Sequence, residues 1–498
     1  MMTVGHFPIL VVMVPLMAAY LMPVLGLWRR RLCYPLATVS TFISFCISLV
    51  LVRSVMASGT ISYHLGGWMP PWGIELVVDY LSAFMCITIT FISLLTVVYS
   101  ENYINKELPT GKTTLYYTLL MLVIGGMLGV VVTGDLFNLF VFTEVFSIAA
   151  YALVAIAGKR EAFIASFRYL LMGAIGTSLV LLGISYLYAI TGTLNMVDLS
   201  VRLQPWYGSS IVSAALAFLI VGFSIKTALF PLHTWLPDAH SIALSPISVM
   251  LSALVIKVGA YAIIRTLFTV FQPGFITEVV PVAPVLTWLA AAAILIGSLF
   301  AISQTDLKRM LAYSSVAHIG YVVLGIALAT EMGMTGGILL IFTHAMAKGC
   351  LFLCAGAIIY KTGLRNISDL GGLGVRMPIT AAAFALSALS MMGIPPTAGF
   401  FSKWFLCLGA IEAGEWIFAI VILLGSLLTA VYYFRVIYVI YFGEHNHVEQ
   451  VGTDEVPPGM LVPIVILALG CIIFGIFVSI PLSVVEPAVR LLLGAVQV

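Results

Sequence analysis

Charge is what this chain has least of. Of 498 residues, 8% are Asp, Glu, Lys or Arg and 62% are hydrophobic, a balance that excludes a soluble surface. The net charge of +2 comes from basic residues that serve as loop anchors and form no concentrated stripe, so no nucleic-acid partner is implied. The seven cysteines are scattered; only Cys350 and Cys354 are close, four apart, and no CxxC pair or His/Cys cluster has ligand spacing. That assigns them to packing, with no disulfide, zinc or iron–sulfur centre and no other metal site expected. A Gly-rich phosphate loop and a dinucleotide fingerprint are also missing, so no cofactor is expected and any redox or ATP chemistry must belong to a partner. The start, MMTVGHFPIL, has no positive n-region and no small-residue cleavage signal, and the first apolar run is expected to be retained as a helix.

What is present is apolar sequence in long runs. Windows of about 20 residues, the length that crosses a bilayer, give fourteen spans near 7–27, 33–56, 79–99, 113–133, 137–157, 166–190, 211–232, 244–264, 279–301, 310–330, 333–359, 379–409, 416–442 and 460–484. The fold class is an all-α polytopic membrane protein. An N-terminal three-helix segment (1–112) precedes two five-helix blocks (113–264 and 279–442) and a C-terminal helix and tail (460–498), with Pro481 to Val498 apolar enough to lie along the interface. Connections on one side carry Arg29, Arg30, Arg31, Lys106, Lys112, Lys159, Arg160, Lys308, Arg309, Lys361, Arg365 and Arg376; the other side has only Arg53, Arg202, Arg265 and Arg490. Twelve against four makes the first side cytoplasmic and both termini external.

Three lysines lie inside apolar runs: Lys226 in SIKTALFPLH, Lys257 in SALVIKVGAYAII and Lys403 in GIPPTAGFFSKWFL. A cation at mid-membrane costs roughly 2.5–3.5 kcal/mol on insertion scales, so it faces a polar cavity or an opposite charge. Glu144, in DLFNLFVFTEVFSIAAY, is the candidate partner. Burial and a nearby carboxylate act in opposite directions on an amine's hold on its proton, so small movements let such a lysine bind and release one. The pattern points to proton movement across a membrane.

Proline punctuates the two blocks at corresponding places. Lys226 lies five residues before Pro231, and Lys403 lies shortly after Pro395 and Pro396. Proline removes a backbone donor and clashes with the preceding turn, so each span is predicted to be a discontinuous helix. Paired interruptions in two halves point to an ion site in an inverted-repeat transporter, although prolines alone are also ordinary kinks in membrane helices. His344 and Lys348, four apart in IFTHAMAKGCLFL, share a helix face, and His318 lies in the preceding span. Each histidine is either a proton relay or a hydrogen-bonding partner for a neighbouring helix. Asp238 and His240, in WLPDAHSIALSP, are candidates for a cytoplasmic proton entrance. Asp79 and Asp135 read as solvated helix-end carboxylates, and Arg168 and Arg435 as interface anchors off the path.

The runs DLFNLFVFTEVFSIAAYAL, FPLHTWLPDAHSIALSPISVMLSALVIKVGAYAIIR, DLKRMLAYSSVAHIGYVVLG and GIPPTAGFFSKWFL resemble the antiporter-like subunits shared by Mrp-type cation/proton antiporters, respiratory complex I and membrane-bound hydrogenases. The match runs in order over roughly residues 75 to 442. The resemblance implies fourteen core helices, two inverted five-helix units and a central hydrophilic axis. It implies that Glu144 and Lys226 are the ion pair of the first unit, that Lys257 bridges toward the second, and that His318, His344, Lys348 and Lys403 continue the proton path. Within the family, GGWMPPWGIELVVDYLSAFM and GIPPTAGFFSKWFLCLGAIEAGEW look most like the D-type subunits of the antiporters. The chain's ending after span fourteen, without the long extra helices and lateral arm of the A-type subunits, agrees with that likeness.

The expected function is a proton-translocating subunit of a multisubunit Na⁺/H⁺ antiporter in a prokaryotic plasma or inner membrane, with other membrane subunits, lipid, protons and Na⁺ as partners. The runner-up is the pump module of a proton-translocating NADH:quinone oxidoreductase or hydrogenase, whose redox centres would again lie in other subunits. A self-contained solute symporter is the third reading, disfavoured because no distinct polar organic-substrate pocket is apparent.

Overall fold

The computed structural model describes residues 4–276, 280–444 and 454–494. Lipid offers no partner for a backbone N–H or C=O, and the chain answers with helices whose hydrogen bonds are internal. Among the described residues, thirteen helices are long and apolar enough to cross a membrane. They are span 1 (Phe7–Trp28), span 2 (Cys33–Ser58), span 3 (Tyr80–Glu107), span 4 (Thr113–Val132), span 5 (Leu136–Ala155), span 6 (Arg160–Thr191), span 7 (Ser210–Thr227), span 8 (Ser245–Val270), span 9 (Val282–Ser303), span 10 (Leu307–Leu328), span 11 (Glu331–Thr362), span 13 (Trp416–Phe442) and span 14 (Pro458–Ile476). Span 12 is the pair of short helices Pro378–Met392 and Ala398–Glu412, which completes the fourteen.

Both expected breaks are present. Span 7 stops at Thr227, turns through Ala228 in the left-handed region (φ 57°), and resumes as Trp235–Ile242, with Pro231 inside the gap. Span 12 stops at Met392, turns at Gly393 (φ 83°), and restarts at Ala398 beyond Pro395 and Pro396. The two halves repeat in their punctuation. Asp135 and Asp306 cap the starts of spans 5 and 10, Gly192 and Gly363 end spans 6 and 11 in the left-handed region, and Asp135 and Asp306 bridge to Asn195 and Asn366. The same chain offset separates each member from its counterpart, and the long helix between them has the same length in both halves, 32 residues.

Spans 8 and 11 are wrapped on every side, whereas spans 1, 2, 6 and 13 expose residues such as Tyr20, Phe42, Phe167, Leu423 and Leu427, the surface expected against lipid tails. On one face of the bundle strands β1 (Ile61–His64) and β2 (Glu75–Val78) pair antiparallel, with Ile61 opposite Val78 and His64 opposite Glu75. This hairpin side is opposite the side that carries most of the basic loop residues.

Several expectations need correction. Span 8 runs to Val270 rather than 264, so Arg265 is inside it and buried, not a loop residue. Lys308 is also buried and donates to the Ala243 carbonyl; each side of the basic-residue tally thus loses one, and the bias remains. Asp79 does cap span 3, accepting from the Ser82 N–H at 2.8 Å, but it is buried, not solvated. Arg435, half-buried, reaches the end of span 9, where it donates to the carbonyls of Ile302 (2.6 Å) and Gln304 (2.7 Å). The last span ends at Ile476 rather than 484, and a separate helix, Ser479–Leu492, follows. Position 279, the expected start of span 9, and Val498 lie outside the described residues.

Candidate functional site: a buried lysine and histidine axis

Span 7 ends one residue after Lys226, so the lysine sits beside backbone that the break has freed. Its Nζ donates to Ser147 Oγ at 2.9 Å and Tyr151 OH at 3.0 Å, and lies 3.7 Å from Glu144 Oε1. Ser147 and Tyr151 follow Glu144 on span 5 at helical spacing, which presents the acid and both hydroxyls on one stripe. The pair is asymmetric: the Lys226 side chain is 4% exposed, that of Glu144 30%. The separation exceeds a hydrogen bond, and Glu144 Oε1 has none among the described residues. Tyr151 meets Tyr169 edge-on at 4.4 Å, and Tyr169 stacks on Trp235 at 4.0 Å, tying the ion pair to the second half of the broken span.

Lys257, on span 8, is fully buried and donates to the Ser252 carbonyl. Ser252 Oγ meets Ser315 Oγ at 2.7 Å, and Ser315 donates to the Leu311 carbonyl at 3.0 Å. That same carbonyl accepts from Lys348 Nζ at 2.7 Å. Lys348 further donates to Ser314 Oγ (2.8 Å) and Tyr433 OH (3.3 Å), so among the described residues the ammonium is held by neutral oxygens. Tyr432 OH joins the same Ser314 at 3.0 Å.

His318 extends this line. Its Nδ1 lies 2.8 Å from the Ser314 carbonyl and its Nε2 3.2 Å from the Met391 carbonyl. Met391 and Met392 are the last residues of the first half of span 12, whose carbonyls have no helical partner beyond the break. Lys403 takes both, donating to Met391 O at 2.8 Å and Met392 O at 3.0 Å, with its Nζ 5.0 Å from the Tyr321 ring centre. A cation at the negative end of a half-helix is a favourable placement. The His344 ring lies 5.1 Å from that of His318, and both its nitrogens are buried without a hydrogen bond among the described residues. His318, His344 and Lys403 line a cavity of about 10 Å³, room for one water.

The structure therefore brings Lys257, Lys348, His318 and Lys403 into one series of hydrogen-bonded residues, joined through backbone carbonyls as well as hydroxyls, with His344 alongside. No direct hydrogen bond joins Lys226 to Lys257 among the described residues; the two are linked by close packing of Gly259 against Lys226 and Thr227. Asp238 and His240 are separated. Asp238 faces outward, paired with Arg168 at 2.6 Å and near Arg309 at 3.7 Å, while His240 is buried and stacked on Phe352 at 5.0 Å. Ser147, Tyr151, Ser314, Ser315 and Tyr433 are residues of the candidate site that sequence reasoning misses; the paired hydroxyls at 314–315 and 432–433 are the available signal.

Residues 133–429 match the family described as NADH:quinone oxidoreductase/Mrp antiporter, TM, and residues 68–110 match NADH-ubiquinone oxidoreductase (complex I), chain 5 N-terminus. The chain is 44% identical over 491 residues to the N-type NADH-quinone oxidoreductase subunit of Desulforudis audaxviator, covering 95% of this chain and 96% of that protein. It is 31% identical over 472 residues to the D-type Na(+)/H(+) antiporter subunit of Bacillus subtilis, covering 95% and 94%. A chain in the Mrp complex from Dietzia sp. DQ12-45-1b superposes with a TM-score of 0.89 at 27% identity, covering 99% of this chain and 98% of that one. The chain belongs to the NADH:quinone oxidoreductase/Mrp antiporter family of membrane subunits.

Proposed function

We propose that this chain is the proton-translocating membrane subunit of a multisubunit Na⁺/H⁺ antiporter, working in a prokaryotic plasma or inner membrane with its basic loops cytoplasmic and both termini external. The observation that carries the reading is the buried line from Lys257 through Ser315, Lys348, Ser314 and His318 to Lys403, with the loose Glu144–Lys226 pair at its head. Its frame is the two five-helix units 113–264 and 279–442, each holding one broken span.

In operation, a change in the Glu144–Lys226 distance alters the charge felt at Lys257. Protons then shift along hydroxyls, carbonyl-held ammonium groups and intervening water to Lys348 and Lys403. Moving one charge across the membrane is worth about 2.3 kcal/mol per 100 mV, which sets what the coupled ion must supply. Sodium is a hard cation that favours oxygen ligands, and this axis offers it ammonium and imidazole groups. Protons therefore run through this chain, and the Na⁺ site lies elsewhere in the assembly. Asp238 and His240 remain a proposed entrance, with Arg168 and Arg309 closing its outer part.

The 44% identity to an NADH-quinone oxidoreductase subunit favours a second reading, in which the same axis is driven by redox partners. Purification of the native complex separates them. Flavin, iron–sulfur or nickel in stoichiometric amount would select the redox assembly; Na⁺-dependent proton flux in a complex free of them would select the antiporter.

A further inference from the structure

Asp79 and Arg265 form an ion pair that the axis above does not use. Arg265 NH1 donates to Asp79 Oδ2 at 2.7 Å and NH2 to Oδ1 at 2.6 Å, a two-pronged contact in which both side chains are less than 10% exposed. The guanidinium also donates to Ser82 Oγ (2.8 Å) and Tyr261 OH (2.8 Å). Tyr261 OH in turn meets Ser82 Oγ at 3.1 Å and donates to the Val131 carbonyl at 2.7 Å. Stability alone does not account for this arrangement, because well-packed apolar residues of similar volume commonly replace a buried ion pair without loss.

Its position is informative. Lys257, Tyr261 and Arg265 are successive fourth residues of span 8 and share one face, running from the axis toward the hairpin side. Asp79 follows strand β2 directly, so the hairpin is joined to the pair without an intervening residue. Span 8 is also built to deform: Met250–Val255 and Arg265–Val270 are π-helical, and the α-helical stretch Ile256–Ile264 between them carries Lys257 at one end and adjoins Arg265 at the other. Single π turns inside α-helices mark functional sites, and a switch between π and α winding rotates the residues beyond it.

We infer that the Asp79–Arg265 pair is a gate between Lys257 and the hairpin-side surface, a proposal that rests on the proton reading above. When span 8 rewinds, Lys257 leaves the Ser252 carbonyl and turns toward Tyr261. Its ammonium becomes an amine as the proton passes to the Tyr261 oxygen. The Tyr261 hydroxyl turns from the Val131 carbonyl and passes its own proton to Ser82 Oγ, and the Ser82 hydroxyl turns to Asp79, whose carboxylate already accepts from the Ser82 N–H, and passes one proton to it. Asp79, now a neutral acid, releases Arg265 and opens the way to water. Loss of the proton to that water restores the carboxylate, re-forms the pair and closes the gate.

The test is proton flux per assembled complex, reconstituted in vesicles, for wild type, for Asp79→Leu combined with Arg265→Met, and for Arg265→Lys. The apolar pair roughly keeps volume and removes the gate's charges; flux is expected to fall roughly 100-fold or more at undiminished assembly, since a positioned proton-transfer group is lost. Arg265→Lys keeps charge but loses the two-pronged grip, and is expected to raise passive proton leak several-fold in the absence of the coupled ion. Wild-type flux in the double variant, or wild-type leak per complex in Arg265→Lys, would show a mere clamp between spans 3 and 8. A wild-type complex that moves no protons would remove the proton reading and the gate together.

Discussion

Lys403 owes its place to a backbone defect, since the carbonyls that hold it exist because span 12 stops at Met392. If its role is to exchange a proton, charge alone is insufficient. Arginine retains the charge but does not deprotonate in proteins, whereas glutamate exchanges a proton at a different pH. Lys403→Arg is expected to stop proton flux in membrane vesicles, and Lys403→Glu to retain part of it with a shifted pH optimum; normal pumping by Lys403→Arg would make the residue an electrostatic fixture. At the first centre, Glu144→Gln leaves Lys226 its bonds to Ser147 and Tyr151, so the complex is expected to assemble. Flux should fall roughly 100-fold, the scale of losing a positioned proton-transfer group, and an assembled Glu144→Gln complex with wild-type flux would remove the pair from the mechanism. The lysines and histidines are legible in the sequence because a titratable group in an apolar run is conspicuous. The hydroxyls are not, because a serine or threonine in a membrane helix commonly bonds a carbonyl of its own preceding turn, as Thr227 does with Phe223, and sequence does not distinguish those that also reach across. The Asp79–Arg265 pair escapes for a different reason: each residue reads as a span end, and span 8 runs six residues beyond the end of its hydropathy window.

At the scale of elements, both interruptions are readable from proline, but their geometry is not. The left-handed turn at Ala228 is an alanine where glycine is usual, and the π-helical stretches of span 8 leave no compositional mark. The contact between spans 7 and 8 depends on Gly259. A Cβ there would lie 2.8 Å from Thr227 Oγ1, 3.0 Å from Thr227 N and 3.1 Å from the Lys226 carbonyl carbon, two of the three being backbone atoms that cannot swing aside. Overpacking of this kind costs about 1–3 kcal/mol. Gly259→Ala is therefore expected to lower the thermal midpoint of the purified complex and to impair flux by displacing Lys226, and an unchanged midpoint would mean that the spans separate freely at this contact.

For the whole molecule, hydropathy windows find all fourteen spans, because a bilayer fixes helix length more tightly than a globular core does. Which end of each helix is cytoplasmic rests on the basic loops. Labelling of intact cells with a membrane-impermeant thiol reagent should modify Trp72→Cys, at the exposed tip beside the hairpin, and spare Arg30→Cys; the reverse pattern would invert the topology. The central claim, that one buried axis within this chain carries protons between its two units, is tested most directly at Lys257. Its ammonium has a backbone carbonyl and, among the described residues, no carboxylate, and a buried charge without an opposite partner costs several kcal/mol. Replacing it with methionine keeps an unbranched side chain one atom shorter and removes that burden. The measurement is proton flux and thermal midpoint of the same reconstituted Lys257→Met complex. The account predicts an assembled complex of equal or higher thermal stability that no longer moves protons; wild-type flux through that complex would contradict it.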